Sequence, residues 1–189
     1  MTTVPTTSDL ILAATRRAVR ARGPEKLTMS AVAAEAGVSR PTLYRWFPTK
    51  ALLLGALAAN AVAHFDAGLQ ALADQHHDPA RRLDVALRYL VTYLDDTIGS
   101  DAIRIDPGFA LQGLADSLPP HVESLARVLG DALDEVPTVR NSSLTREEAA
   151  EMFLRVAYSH YLVPDRDAER LLATIRAFAG LRRTVHGAH

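Results

Sequence analysis

Apolar side chains recur along this chain at intervals of three and four residues almost throughout, and nowhere do they alternate with polar ones for a useful length. Helices are predicted and strands are not. Ile11, Ala14 and Ala18 mark a first helix from Ser8 to about Arg22, where Gly23-Pro24 stops the pattern. Met29, Val32, Ala33 and Ala36 fall at i, i+3, i+4 and i+7 of a second helix, which Thr28 opens and Gly37 closes. Ser39 caps a third, which tolerates Pro41 in its first turn and runs to Phe47 before Pro48. Further helices are predicted over about 49–73, 80–97, 107–116, 119–135, 145–162 and 165–181, about nine in all. The breaks are "ADQHHDP", "TIGSDAIRIDPG", "LPP" and "VPTVRNSS". Thr145 with Glu148 forms a capping-box pattern, and Gly180 ends the last helix.

On a helical wheel the third helix turns Leu43, Trp46 and Phe47 toward the first two helices and Pro41 and Arg45 directly away, with Thr42 and Tyr44 at the flanks. A short helix with an apolar back and an Arg, Thr, Tyr and Pro front, joined to its partner by a three-residue turn, has the form of a helix-turn-helix recognition element. Arginine binds guanine bidentately, a proline ring or threonine methyl meets a thymine methyl, and a tyrosine hydroxyl donates to phosphate. Lys50 follows the capping Thr49, so its ammonium and the free amides of that helix start can converge on one phosphate, and Thr28 offers the same at the second helix.

Charge sharpens this picture. Residues 1–55 hold eight Lys/Arg against Asp9, Glu25 and Glu35, a net +5, while the remainder holds 13 against 19, a net −6. The basic first quarter fits a polyanion.

The stretch "LTMSAVAAEAGVSRPTLYRWFPTKALLLGAL", residues 27–57, resembles the DNA-binding signature of the tetracycline-repressor (TetR) family of bacterial transcription regulators. The resemblance implies phosphate contact from Thr28, Tyr44, Trp46 and Lys50, and base readout from Arg40, Pro41, Thr42 and Arg45. It covers about fifty N-terminal residues and sets Trp46 at the DNA backbone, where the wheel sets it toward the core; an indole at the rim serves both. It also implies an inducer pocket and a four-helix dimer interface in the C-terminal bundle.

The residues themselves speak to both implications. The helix over 80–97 is apolar around more than half its circumference, which suits a helix with several neighbours or one bordering a cavity. Phe65, Tyr89, Tyr93, Phe109 and Phe153 are the candidate lining aromatics, with ordinary core packing as the alternative. The last two helices each carry two apolar stripes. Tyr158, Tyr161, Leu171, Thr174, Phe178 and Leu181 are the candidate dimer contacts, since a monomer of this size cannot bury both stripes.

Other chemistries find no motif. There is no cysteine, no Gly-rich phosphate loop and no G-x-S-x-G elbow, so an enzyme is not expected. The seven histidines form no H-x-x-x-H pair; His76, His77, His121, His186 and His189 read as solvated, and neither metal nor cofactor is expected. No run reaches 18 apolar residues, which with the arginine-rich start suggests a cytoplasmic protein without a membrane span or leader. The expected protein is an all-α homodimer with a three-helix DNA-binding domain at 1–48 and a ligand-binding and dimerisation domain at 49–189. Its expected function is that of a repressor released from a pseudo-palindromic operator by a mainly apolar small molecule. The alternatives are an activating or ligand-independent regulator, or a helical carrier with a vestigial DNA-binding domain.

Overall fold

The computed structural model describes residues 5–97, 102–163 and 168–181. Among them stand eleven helices and no strand: α1 (Thr7–Arg22), α2 (Met29–Ala36), α3 (Arg40–Trp46), α4 (Lys50–Gln75), α5 (Pro79–Thr97), α6 (Ala102–Ile105), α7 (Pro107–Leu129), α8 (Asp131–Asp134), α9 (Pro137–Arg140), α10 (Arg146–Leu162) and α11 (Ala168–Phe178). The fold is all-α, as the spacing predicts. The chain divides into two compact units, one of residues 1–64 and 98–114, the other of 65–97 and 115–189. Both α4 and α7 therefore contribute residues to each unit.

The first unit is built on α1 to α4. Thr6 caps α1 in a reciprocal box: its hydroxyl accepts from the Asp9 amide at 3.2 Å while the Asp9 carboxylate accepts from the Thr6 amide at 2.8 Å. The Thr6 hydroxyl, which also donates to the Asp9 carboxylate at 2.8 Å, and the Thr6 amide together hold the Asp9 carboxyl below its ordinary range. Ile11, Leu12, Leu27, Val32, Ala33, Leu43, Phe47 and Leu53 form one buried cluster, so the apolar stripes of the four helices close on each other. Arg16 ties α1 to α4 through Asn60 at 2.8 Å. The first part of α4 is thereby fixed to the three N-terminal helices.

The second unit packs α10 against α5, with α8 and α11 alongside. Its largest enclosed side chains are Phe65, Leu69, Leu83, Leu87, Leu125, Leu129, Leu133, Leu154 and Leu172. Arg176 of α11 donates to Asp84 of α5 at 2.7 Å, an ion pair shielded by the surrounding packing. Gly180 ends α11 in a left-handed turn (φ 73°), where the Leu181 amide reaches back to the Arg176 carbonyl at 2.8 Å.

The main departure from expectation is α7, which runs unbroken through Leu118-Pro119-Pro120, where two helices were expected. Each proline removes one helical hydrogen bond, at about 3 kcal/mol or more in a helix interior. Ala110, Leu114, Leu125, Ala126 and Leu129 are buried on either side, and such burial, roughly 1.5–3 kcal/mol for each leucine, offsets that cost. Gly130 (φ 46°) then ends the helix, and α8 and α9 are single turns in place of a continuation to 135. Of the last expected helix, residues 165–167 lie outside the described residues, as do His186 and His189.

Candidate nucleic-acid interface

The turn between α2 and α3 is set by three local devices. Thr28 caps α2, its hydroxyl accepting from the Ala31 amide at 3.2 Å. Gly37 adopts the left-handed conformation (φ 68°, ψ 27°) and sends its amide back to the last turn of α2, a backbone shape that a side chain would strain. Ser39 caps α3 by accepting from the Thr42 amide at 3.2 Å, and its hydroxyl also pairs with that of Thr42 at 2.8 Å. Leu43 and Phe47 anchor α3 in the first-unit core.

What remains outward is the polar front. Arg40, Pro41, Tyr44 and Arg45 are exposed and Thr42 half-buried, and the two guanidiniums have no ion pair or hydrogen bond with other described residues. A free fork of donors on a rigid helix is the form that reads a guanine edge. Arg17, by contrast, is engaged with Glu35 at 2.8 Å. Lys50 donates to the Glu25 carbonyl at 3.1 Å, which holds its ammonium beside the loop between α1 and α2 with two N–H groups left over. Thr49 caps α4 through the Leu52 amide at 3.2 Å.

Trp46 corrects the wheel. It is 47% exposed, whereas Leu43 is fully buried and Phe47 nearly so. The helix ends at Trp46, and Phe47 leaves it in an extended conformation (φ −131°, ψ 90°) that swings its ring into the space behind α3. The indole is left at the rim, beside Tyr44 in sequence and equally open.

The candidate effector residues do not form one set. Phe65, Tyr89 and Tyr93 do cluster, with ring centroids 5.0 to 5.6 Å apart, and the Tyr89 hydroxyl donates to the Phe65 carbonyl at 3.3 Å. Burial pushes the Tyr89 phenol well above its usual range. Tyr89 can lie this close to α4 because residue 68 is glycine: a Cβ there would sit 2.4 Å from the phenol oxygen. Phe153 is buried in α10 of the same unit, whereas Phe109 is 40% exposed and belongs to the first unit. His121 is a further correction. It is 3% exposed on α7, stacked 4.1 Å from the Phe65 centroid, with Nδ1 2.9 Å from the Tyr158 hydroxyl. Leu114, Leu118, His121, Leu125 and Leu129 share one helical stripe across the proline pair, the signal that would have found it.

The candidate dimer contacts are also redistributed. Tyr158 and Tyr161 are buried within their own chain. Leu171 and Leu181 are half-buried, Thr174 is exposed, and Phe178 is 82% exposed. The outward stripe of α10 is instead Met152, Val156 and, just past the helix, Val163, spaced four and seven residues apart. The helix α4 is long and apolar enough to cross a membrane by length and composition, yet its Leu53, Phe65 and Leu69 are packed into the protein interior. Among the described residues no three His, Asp or Glu side chains are grouped to hold a metal ion.

Comparison with known proteins places this geometry. Residues 11–57 match the bacterial regulatory proteins of the tetR family. The nucleoid occlusion factor SlmA of Pasteurella multocida is 41% identical over 61 residues, 32% of this chain, and the chain spans only 31% of that relative's length. Among solved structures, the fatty acid degradation regulator FadR from Bacillus halodurans superposes with a TM-score of 0.67 at 16% identity, over 95% of both chains. AibR, solved in complex with isovaleryl coenzyme A and operator DNA, gives 0.62 at 16% identity over 92% of this chain and 97% of its own. Those identities speak for the fold, and the helix-turn-helix match speaks for the chemistry of the first unit. Taken together, residues 11–57, with their capped α2–turn–α3 and exposed arginines, form a helix-turn-helix segment similar to that of the bacterial regulatory proteins of the tetR family, and the whole chain shares the fold of FadR and AibR.

Proposed function

We propose that the protein is a homodimeric repressor that leaves its operator when a mainly apolar small molecule binds the second unit. The observation that carries the reading is the exposed front of α3, where Arg40 and Arg45 have no ion pair or hydrogen bond with other described residues, on a helix locked into the core by Leu43 and Phe47. Arg40, Pro41, Thr42 and Arg45 read bases; Thr28, Tyr44, Trp46 and Lys50 hold phosphates. The division of labour runs at residue 48, with DNA binding before it and effector binding and dimerisation after, in the cytoplasm. The exposed stripe of Met152, Val156 and Val163 on α10, with Phe178 on α11, supports pairing of two chains through these helices. AibR, which shares the fold, was solved with both an acyl-CoA and operator DNA. Because α4 and α7 each belong to both units, an effector that displaces their second-unit portions moves the first unit's helices as well.

Two recognition helices related by a two-fold axis require half-sites about 34–36 Å apart or a multiple of that. The deciding experiment is selection of bound duplexes from a random pool by the full chain. An inverted repeat with that spacing is the expected result. Recovery of no duplex above background, at low salt, refutes the reading.

A further inference from the structure

One polar group inside the second unit has no part in DNA binding. His121 is enclosed by the rings of Phe65, with centroids 4.1 Å apart, and of Tyr93, with centroids 5.8 Å apart and nearly perpendicular. Its Nδ1 lies 2.9 Å from the Tyr158 hydroxyl, and the Ser117 hydroxyl lies 3.2 Å from the same oxygen. Its Nε2 is fully enclosed and finds no hydrogen-bond partner among the described residues. Buried nitrogens are almost always paired, because an unpaired one forfeits its hydration without return.

The chemistry of the chain fixes which valence is open. A phenol O–H is a stronger donor than an imidazole N–H, and an imidazole nitrogen a stronger acceptor than a phenol oxygen. Tyr158 is therefore assigned as the donor to Nδ1, and the single proton of the neutral ring is placed on Nε2. Burial keeps the ring neutral, pushing it down to about 4. The ionised pair on the neighbouring turns, Asp66 with Arg127, is closed on itself and on Ser124, which donates to Asp66 at 2.8 Å. Burial is the sole cause of the shift at His121, so no charged side chain stands close enough to the ring to receive a charged ligand there.

We infer that the Nε2–H of His121 is the polar anchor of an effector site framed by Phe65 and Tyr93, and that the effector is an uncharged, largely aromatic or apolar molecule presenting one acceptor oxygen. The inference rests on the effector-release reading above. The ligand parts the rings, replaces ring-on-ring contact with its own apolar body, and gives the enclosed N–H the acceptor it lacks.

The test uses the full chain with three probes of one size: acetophenone, ethylbenzene and benzoate. Calorimetry supplies the affinities, and long-range nitrogen–proton spectra of the histidine rings report on His121. Acetophenone is expected to bind at least tenfold more tightly than ethylbenzene and to shift the His121 Nε2 resonance. His121→Leu should abolish the preference, and His121→Gln, which retains an N–H, should restore part of it. No His121 shift with any probe up to about 10 mM, equal affinities for acetophenone and ethylbenzene, or tightest binding of benzoate would each overturn the inference. If the leucine variant does not fold, the wild-type spectra and the glutamine variant decide alone. Operator affinity is measured alongside: a probe bound at His121 that leaves it unchanged upholds the anchor and refutes the release mechanism.

Discussion

Acidification should destabilise this protein through His121 in particular. In the unfolded chain the imidazole titrates near its ordinary 6.5, whereas burial in the folded chain pushes it down to about 4. Between those values the unfolded state holds a proton that the folded state refuses, so stability is fully present above the higher value and is lost as pH falls toward the lower. The gap of about 2.5 pH units, at about 1.4 kcal/mol each, sets a ceiling of about 3 kcal/mol, of which about 2 kcal/mol is lost between about pH 7 and pH 5. Carboxylates also titrate over part of this range, so the measurement is a difference. Urea unfolding of wild type and His121→Gln is followed at several pH values, and the titrations common to both cancel. The wild-type curve should fall more steeply with acid and converge on that of the variant. Parallel curves would refute the argument, since they would mean that the ring accepts its proton as readily in the fold as in water.

At the DNA, Arg45→Ala or Arg40→Ala should cost about 1–3 kcal/mol on the selected site and relax preference at one position per half-site, read by competition among single-base variants. Lys50→Ala should weaken all duplexes alike and reduce the salt slope by about 1 per half-site, and an unaltered slope removes Lys50 from the phosphate contacts. Gly68→Ala should lower stability by about 1–2 kcal/mol despite alanine's better helix propensity, because the new Cβ meets the Tyr89 phenol; a rise in unfolding temperature would mean that this ring is free to move. Phe178→Asp should raise the dimer dissociation constant by at least tenfold in sedimentation, with the helical content of the monomer kept. Unchanged sedimentation places the interface elsewhere.

The α2–turn–α3 element was legible because its determinants lie within about twenty consecutive residues: a glycine that takes the left-handed turn, two hydroxyl caps and an apolar spacing that needs no distant partner. Trp46 was misplaced because a wheel assumes that the helix continues, whereas Phe47 leaves it and takes the space. His121 was misread for the opposite reason. Two prolines argue for a break from local terms alone, and only the burial on both sides of them carries α7 through. In α10 the sequence offers two apolar stripes of similar strength. Which one faces the chain's own core depends on α5 and α11, so the inward turn of Tyr158 and Tyr161 and the outward turn of Met152 and Val156 were beyond periodicity.

The three hydroxyls of Thr28, Ser39 and Thr49 each spend an oxygen lone pair on a backbone amide of the helix they open. For Thr28 and Thr49, whose capping oxygens act there as acceptors, the hydroxyl hydrogen is left for an outside acceptor such as a phosphate. On the proposed function, folding and DNA affinity are drawn from the same atoms: Thr28→Val should remove a donor to DNA and, in the same stroke, a cap whose loss costs about 1 kcal/mol. Serine can replace threonine there with little change to either property, while an isosteric methyl cannot spare one without harming the other. Loss-of-binding variants will consequently fall into two kinds. Those at the caps will also melt earlier, and those at Arg40 and Arg45 will lose the operator at undiminished stability.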